Sequence, residues 1–207
     1  MNEYHLFRPI CLMKMKIDKT YKITLIGDGA VGKTSIRRSY LGETFKGNYN
    51  LTLGSDFATK TMQVGDLNIN IIIWDLAGQP RFKAVREGFY RGTKGALLVY
   101  DITRKDTYES IPSWIMELLK NNRKQKVPMI LIGNKSDLRG SLYKTIPSDH
   151  GETYAEELGL WSGFDVPYIE TSAKFGDNVD QPFETLIKQI IKADQMKTIA
   201  SYLQGEL

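Results

Sequence analysis

The sequence predicts an α/β fold built on a mostly parallel, doubly wound sheet of six strands with one antiparallel edge strand. From residue 21 onward, short apolar segments rich in β-branched residues alternate with longer segments of helical pattern, as expected when helices connect parallel strands. Two of the apolar segments, residues 95–100 and 127–132, carry no charged side chain. Such runs are typical of parallel strands that are buried on both faces.

The elements follow one another regularly along the chain. Strands are predicted at residues 21–26, 57–64, 67–74, 95–100, 127–132 and 166–170, and helices at residues 33–42, 108–120, 153–158 and 179–197. The dipeptide Gly65-Asp66 is typical of a two-residue hairpin turn, so the second and third strands are expected to be antiparallel. Gly159 predicts the end of the third helix, which makes residues 159–165 a loop that carries Trp161 and Phe164.

The composition is that of one ordinary globular domain, with 207 residues, 42% of them apolar and 25% charged. We expect an N-terminal extension at residues 1–20, a folded domain at 21–198 and a short tail at 199–207. The single cysteine, Cys11, excludes an intramolecular disulfide and fits a reducing compartment. No apolar run approaches the roughly 20 residues of a membrane-spanning helix. We therefore expect a cytoplasmic protein that meets membranes peripherally through a partner, or not at all.

The positive charge of the chain is concentrated at its beginning. The formal net charge is +4, and residues 1–22 contribute +3 of it. The remaining body is close to neutral, whereas a nucleic-acid-binding domain clusters positive charge on its folded face. We therefore expect no nucleic-acid partner. The basic arm itself is either solvated or in contact with a membrane surface.

The first chemical motif follows the first predicted strand and opens the first helix. Residues 27–34 read Gly-Asp-Gly-Ala-Val-Gly-Lys-Thr, the pattern of a phosphate-binding loop, whose backbone N–H groups surround a phosphate at a helix N-terminus. Lys33 would reach the β- and γ-phosphates, and Thr34 would bind Mg²⁺. A chance glycine turn would match this pattern in roughly one chain in a hundred of this size. The motif indicates a nucleotide phosphate and leaves the base open.

Two later motifs bear on the base, and each of them is weak alone. Asn134-Lys135-Ser136-Asp137 follows the fifth strand, and Thr171-Ser172-Ala173-Lys174 follows the sixth. The Asp137 carboxylate can accept hydrogen bonds from N1–H and the exocyclic amine of guanine, a donor pair that adenine lacks. The second motif can offer a backbone N–H to the guanine O6. Either segment could equally be an ordinary loop.

A further motif, residues 74–79, closes the third strand with Trp-Asp-Leu-Ala-Gly-Gln. Asp75 can hold Mg²⁺ through water, the Gly78 N–H can reach a γ-phosphate, and Gln79 can orient the attacking water. Considered alone, Asp75 could also cap a helix and Gln79 could be an ordinary surface residue.

In this order, and at these strand ends, the motifs resemble those of the Ras-superfamily small GTPases over about residues 21–191. The resemblance implies the fold of that family, binding of GTP and GDP with Mg²⁺, slow GTP hydrolysis and a nucleotide-dependent switch. It also implies that Thr52 binds Mg²⁺ and the γ-phosphate, and that Phe45 lies against the guanine. Motifs and resemblance together assign Gln79 as the catalytic residue and Thr34, Thr52 and Asp75 as metal ligands. They assign nucleotide contacts to Gly29, Ala30, Val31, Gly32, Lys33, Thr34, Ser35, Phe45, Thr52, Gly78, Asn134, Lys135, Asp137, Ser172, Ala173 and Lys174.

Within the superfamily the chain is most similar to the Rab proteins, through segments such as residues 54–57, 73–75, 89–92 and 98–103. Phe57, Trp74 and Phe89 match the aromatic triad through which Rab proteins contact effectors, although such rings could instead belong to the core. The resemblance thus implies effectors, an exchange factor and a GTPase-activating protein that contact residues 52–57, Trp74 and Phe89.

Two features depart from the Rab pattern. The sequence ends Ser-Tyr-Leu-Gln-Gly-Glu-Leu without the usual cysteines, so we expect no lipid anchor on these residues; either a tail was removed or the protein is a divergent member. Pro80 replaces the acidic residue that normally follows the catalytic glutamine. Because proline disfavours the α conformation of the preceding residue, Gln79 should be extended, a restriction that either preorganises catalysis or, as we slightly favour, holds Gln79 away.

Two other functions compete with the switch. A GTP-binding scaffold with negligible hydrolysis would only recruit partners, and the Gln79 motif disfavours it. A nucleotide kinase would share the phosphate loop but would leave the motif at residues 134–137 without a role.

Overall fold

One six-stranded sheet organises the computed structural model, which describes residues 18–43, 52 and 54–204. Its strands are β1 (Lys19–Ile26), β2 (Ser55–Val64), β3 (Leu67–Leu76), β4 (Gly95–Asp101), β5 (Met129–Asn134) and β6 (Tyr168–Thr171). The order across the sheet is β2-β3-β1-β4-β5-β6. All neighbouring strands are parallel except β2 and β3, which pair antiparallel across the turn at residues 65–66. The predicted sheet, with its one antiparallel edge strand, is confirmed.

Helices cover both faces of this sheet. They are α1 (Lys33–Tyr40), α2 (Lys83–Glu87), α3 (Lys105–Glu109), α4 (Ile111–Asn121), α5 (Ser148–Ser162) and α6 (Asp180–Leu203), with short 3₁₀ turns at Pro80–Phe82 and Ser136–Leu138. On one face, Ile36 of α1 and Phe183 of α6 share a core layer with Leu97. On the other face, Trp114 of α4 and Leu158 of α5 share a layer with Leu98. Side chains of β4 therefore alternate between two apolar layers, which explains why its sequence is apolar throughout.

Several predicted helix boundaries are wrong, two of them for a clear local reason. The helix expected at residues 108–120 is divided into α3 and α4, and Pro112 lies in the first turn of α4, where a missing N–H costs nothing. The helix expected to stop at Gly159 continues through Ser162, and Gly163 takes the left-handed C-cap conformation, with φ 77°. The last helix extends beyond Lys197 to Leu203.

The segment expected as a loop at residues 159–165 is therefore largely the last turn of α5. Trp161 lies on this turn and is partly exposed, at 41%. The Lys126 Nζ lies 4.5 Å from the centroid of this ring and donates to the Trp161 carbonyl oxygen at 2.5 Å. The ring thus packs on the domain through a lysine side chain. In the described part of the chain, no helix is long and apolar enough to cross a membrane.

The topology determines where a site can form. Strands β1, β3, β4, β5 and β6 run parallel, so their carboxyl ends lie along the same edge of the sheet. In open α/β sheets this edge is where ligands bind. The motifs that follow these strands in the sequence are therefore brought together.

Removal of one buried ring should test the packing of α1 and α6 on the sheet. Phe183 is fully buried, and its ring lies parallel to that of Tyr40 with 3.8 Å between centroids. We expect Phe183→Ala to lower the free energy of unfolding in urea by about 3–5 kcal/mol, because the truncation leaves a cavity. Phe175→Ala, at a ring that is 65% exposed, should change it by about 0.5 kcal/mol or less. Equal effects of the two substitutions would contradict this assignment of the core.

Candidate functional site

The loop between β1 and α1 is shaped to approach an anion. Gly32 has φ 101°, in the left-handed region, and a Cβ atom there would lie 2.1 Å from Nδ2 of Asn134. Only glycine fits both the conformation and the space. Helix α1 starts directly afterwards at Lys33, so the free N–H groups of its first turn, which includes Thr34 and Ser35, face the same edge of the sheet. A helix N-terminus of this kind favours a phosphate.

Lys33 lies across the phosphate loop and is itself buried. Its Nζ donates to the carbonyl oxygens of Gly27 and Asp28, both at 2.7 Å. Burial lowers the pKa of Lys33 to about 8, although the charges of Asp75 and Asp28 oppose this change. A phosphate beside this ammonium group would add negative charge and favour its protonated form.

The oxygen atoms of the three predicted magnesium ligands converge. The Thr34 Oγ1 is 2.8 Å from the Thr52 Oγ1 and donates to the Asp75 Oδ2 at 2.5 Å. Asp75 is fully buried, and its Oδ1 has no hydrogen-bond partner among the described residues. Burial raises the pKa of Asp75, while Lys33 and the hydrogen bond from Thr34 act in the opposite direction. Two hydroxyls beside a buried, partly unpaired carboxylate fit a hard divalent cation such as Mg²⁺.

The loop after β3 lies against the phosphate loop. A Cβ atom at Gly78 would lie 2.3 Å from the carbonyl carbon of Asp28, so only glycine permits this approach. The Ala77 N–H donates to the Gly54 carbonyl oxygen at 2.9 Å, which connects this loop to the segment that follows Thr52. The two segments expected to respond to nucleotide are therefore in direct contact.

Gln79 has the backbone conformation that Pro80 predicts. Its φ of −81° and ψ of 139° are extended, and Pro80 occupies the first position of the 3₁₀ turn that follows. A Cβ atom placed on Gly29 would lie 3.4 Å from the Gln79 Cγ, so this side chain lies beside the phosphate loop. Its Oε1 is buried and has no hydrogen-bond partner in the part of the chain that is described. An unpaired amide oxygen at this position is suited to accept a hydrogen bond from water.

Asn134 connects the phosphate loop to the loops that follow β5 and β6. Its Nδ2 donates to the Val31 carbonyl oxygen at 2.7 Å. Its Oδ1 accepts hydrogen bonds from the Thr171 hydroxyl at 3.0 Å and from the Ala173 N–H at 3.2 Å. Both ends of the Asn134 amide are thus bonded to protein, and the residue organises the site by joining three loops.

The two side chains beside Asn134 in its motif make separate contacts. Asp137 accepts a hydrogen bond from the Ser172 hydroxyl at 2.7 Å through Oδ1, which orients its carboxylate. The Nζ of Lys135 lies 2.5 Å from the Asp101 Oδ2. The segments 134–137 and 171–174 are thereby brought together at one end of the sheet, as their sequence positions predict.

Two contacts to the phosphate loop were missed by the sequence analysis. Asp28 accepts hydrogen bonds from the Ser110 hydroxyl at 2.7 Å and from the Trp114 Nε1 at 3.0 Å. The Arg104 Nη1 donates to the Gly29 carbonyl oxygen at 3.0 Å. Asp28 occupies a motif position that permits any residue, and Arg104 belongs to no motif. The polar loop after β4, on the same edge as the other motifs, was the only available signal.

The three aromatic residues of the Rab-like triad form a continuous stack. Ring centroids of Phe57 and Trp74 are 5.2 Å apart, and those of Trp74 and Phe89 are 4.7 Å apart. Phe57 is 57% exposed, whereas Trp74 and Phe89 are half-buried and pack against the core. The stack is therefore a surface supported by the core. Phe45 and part of the 52–57 segment lie outside the described residues.

Comparisons with known proteins agree with these motifs. Residues 22–192 match the model of the Ras family. The chain is 39% identical to Ras-related protein RABA4b of Arabidopsis thaliana over 186 residues, which cover 90% of this chain and 79% of that protein. It is 38% identical to Ras-related protein Rab11A of Lotus japonicus over 186 residues, with 90% and 78% covered. The resemblance read from the motifs is thereby confirmed.

Proposed function

Since this chain belongs to the Ras family of small GTPases, we propose that it is a Rab-like switch that binds GTP or GDP with Mg²⁺ and hydrolyses GTP slowly. The observation that carries the proposal is the convergence of Thr34, Thr52 and Asp75 beside Lys33 and the start of α1. Thr34, Thr52 and Asp75 would hold Mg²⁺ there, and the ion would supply positive charge that offsets the charge of the phosphates. Lys33 and the N–H groups of the phosphate loop would bind the phosphates, and Asp137 would bind the base.

The switch would act through the contact between its two loops. Thr52 reaches Thr34, and the Gly54 carbonyl oxygen accepts a hydrogen bond from the Ala77 N–H. With GTP bound, the γ-phosphate would hold both loops in this arrangement, and hydrolysis would release them. Phe57 and Trp74 lie on β2 and β3, the strands that adjoin these loops, so release would change the aromatic surface that effectors would contact. We place this activity in the cytoplasm, at membranes through partners.

Slow hydrolysis is consistent with the contacts of Arg104 and Arg86, two of the arginines near the loops. Arg104 is bonded to the Gly29 carbonyl oxygen and to Asp106, and Arg86 is bonded to Glu117. A free arginine finger is worth about 10³–10⁵ in rate, and both of these guanidinium groups are already engaged. We therefore propose that Gln79 orients the attacking water without such help, and that an activating protein supplies it.

The assignment of Asp137 predicts a change of base preference. Asp137→Asn should shift binding from GTP toward XTP, because xanthine has a carbonyl group where guanine has its exocyclic amine and an amide can donate to it. Competition binding with the two nucleotides measures this shift. Asp149→Asn, at an exposed position of α5, is the matched control and should keep the preference for GTP. An unchanged preference in Asp137→Asn would contradict the role of this residue.

The assignment of Thr34 predicts an unequal loss of affinity. Thr34→Asn should weaken binding of Mg²⁺ and GTP more than binding of GDP, because the hydroxyl ligand is lost where the phosphate charge is greatest. Affinities for both nucleotides, measured with and without Mg²⁺, test this expectation. Thr61→Asn, on the exposed side of β2, should leave both affinities unchanged. Equal losses for GTP and GDP would exclude Thr34 as a metal ligand.

The position of Gln79 predicts the effect of Pro80. The Gln79 side chain lies beside the phosphate loop when its backbone is extended. This position favours the alternative in which Pro80 preorganises Gln79 for catalysis. It disfavours the alternative that we slightly preferred from the sequence, in which Pro80 holds Gln79 away. Pro80→Glu should therefore lower the single-turnover hydrolysis rate several-fold, to the extent that Gln79 gains α conformations. Pro147→Glu, at the exposed start of α5, should keep the wild-type rate. A faster Pro80→Glu enzyme would support restraint instead, and an unchanged rate would remove Pro80 from the mechanism.

A further inference from the structure

A buried ion pair lies directly behind the loop that carries Gln79. Arg86 of α2 donates to both carboxylate oxygens of Glu117 on α4, from Nε at 2.5 Å and from Nη2 at 2.9 Å. Only 5% of the Arg86 side chain and 10% of the Glu117 side chain are exposed. The pair therefore joins α2 to α4 in a site from which water is largely excluded, where such hydrogen bonds are strong.

The third nitrogen of the same guanidinium group contacts the catalytic loop. The Arg86 Nη1 donates to the carbonyl oxygen of Ala77 at 3.2 Å and to that of Gln79 at 2.9 Å. These carbonyl groups stand on either side of Gly78, the residue that packs on the phosphate loop. One planar group thus bonds to Glu117 along one edge and to the Gln79 backbone along another.

Helix α4 holds this group in place and also holds the phosphate loop. The guanidinium carbon of Arg86 lies 4.4 Å from the centroid of the Trp114 ring, and the Trp114 Nε1 donates to Asp28. The Tyr90 hydroxyl donates to the Glu117 Oε1 at 2.9 Å, which fixes the carboxylate. The phosphate loop and the Gln79 loop are therefore positioned by neighbouring side chains of one helix.

Stability alone is a poor explanation for this arrangement. Replacing a buried ion pair by apolar side chains of similar volume is often neutral or stabilising. What an apolar pair could not supply is a rigid fork of N–H donors aimed at two backbone carbonyl groups, and a lysine could not supply that geometry either. The features specific to arginine here are the ones that contact the Gln79 loop.

We propose that Arg86, held by Glu117, is a positioning residue for GTP hydrolysis. It fixes the carbonyl oxygen of Gln79, and with it the backbone from which the Gln79 side chain reaches the attacking water. Pro80 restricts the same residue from its other side. This inference rests on the proposed function, because it assigns a partner to the residue that would orient water.

The first experiment removes the guanidinium group of Arg86 and then moves it to position 117. Arg86→Lys keeps the charge but loses the bond to Gln79, and we expect single-turnover hydrolysis of bound GTP to fall about 10- to 100-fold, with GDP affinity unchanged. The double variant Arg86→Glu with Glu117→Arg restores an ion pair but moves the guanidinium group to α4. Its hydrolysis should stay low even where its melting temperature recovers. Recovery of the rate together with the melting temperature would overturn the proposal and leave the pair a structural one.

A matched control is available at the edge strand β6, at the far end of the sheet from β2. Arg139 makes a bidentate pair with Glu170 and donates to the Thr145 hydroxyl. Within the described part of the chain, it donates no hydrogen bond to residues 77–79. Arg139→Lys removes the same chemistry there, and we expect it to lower the melting temperature as Arg86→Lys does while keeping the wild-type hydrolysis rate. Equal losses of rate in both variants would contradict a specific role for Arg86.

The second experiment asks whether Arg86 acts through Gln79. In a Gln79→Leu background, Arg86→Lys should cause no further loss of the residual hydrolysis rate, because the residue that it positions is already gone. A further loss of the same size would overturn the proposal. If Gln79→Leu lowers the rate and Arg86→Lys does not, only this inference fails. If the wild-type protein hydrolyses no GTP, the proposed function fails and takes this inference with it.

Discussion

The amide of Asn134 is the contact on which the site most depends. It is 1% exposed and bonds to the phosphate loop through Val31 and to the loop after β6 through Thr171 and Ala173. Gly32 has to be glycine because Asn134 occupies the space of its side chain. Loss of this amide would leave several buried polar groups unpaired, each at a cost of about 1–3 kcal/mol. The loops predicted to bind the phosphates and the base are thus joined by a single side chain.

Burial gives the charged groups of the site their properties. Lys33 and Asp75 both lie where water is excluded, so the pKa of the lysine falls and the pKa of the aspartate rises. Burial disfavours the charged form of each group, and a neighbouring group of opposite charge favours it. A phosphate next to Lys33 and a cation next to Asp75 would provide those groups together. The proposed binding of a nucleotide together with Mg²⁺ would satisfy both buried groups.

The phosphate loop and the Gln79 loop are both supported by helix α4, which we do not expect to move. On α4, Trp114 donates to Asp28, and Glu117 accepts from Arg86, which also lies against the Trp114 ring. Helix α4 itself packs into the core layer on its side of the sheet. The Gln79 loop is therefore attached to a rigid element at its back and to the phosphate loop at its front. In the proposed switch, this loop would change its contacts with the nucleotide while its contacts with α4 are kept.

The amino-acid sequence by itself determined the sheet, its antiparallel edge and the clustering of the motifs, because strand periodicity and loop chemistry are local properties. It also determined the extended conformation of Gln79, since Pro80 acts on its immediate neighbour. Only the tertiary structure decided that Gly163, not Gly159, ends α5. It also decided the partners of Arg86, because Glu117 is 31 residues away. A pairing of that kind depends on how α2 and α4 pack against each other. It cannot be predicted from the spacing of residues within either helix.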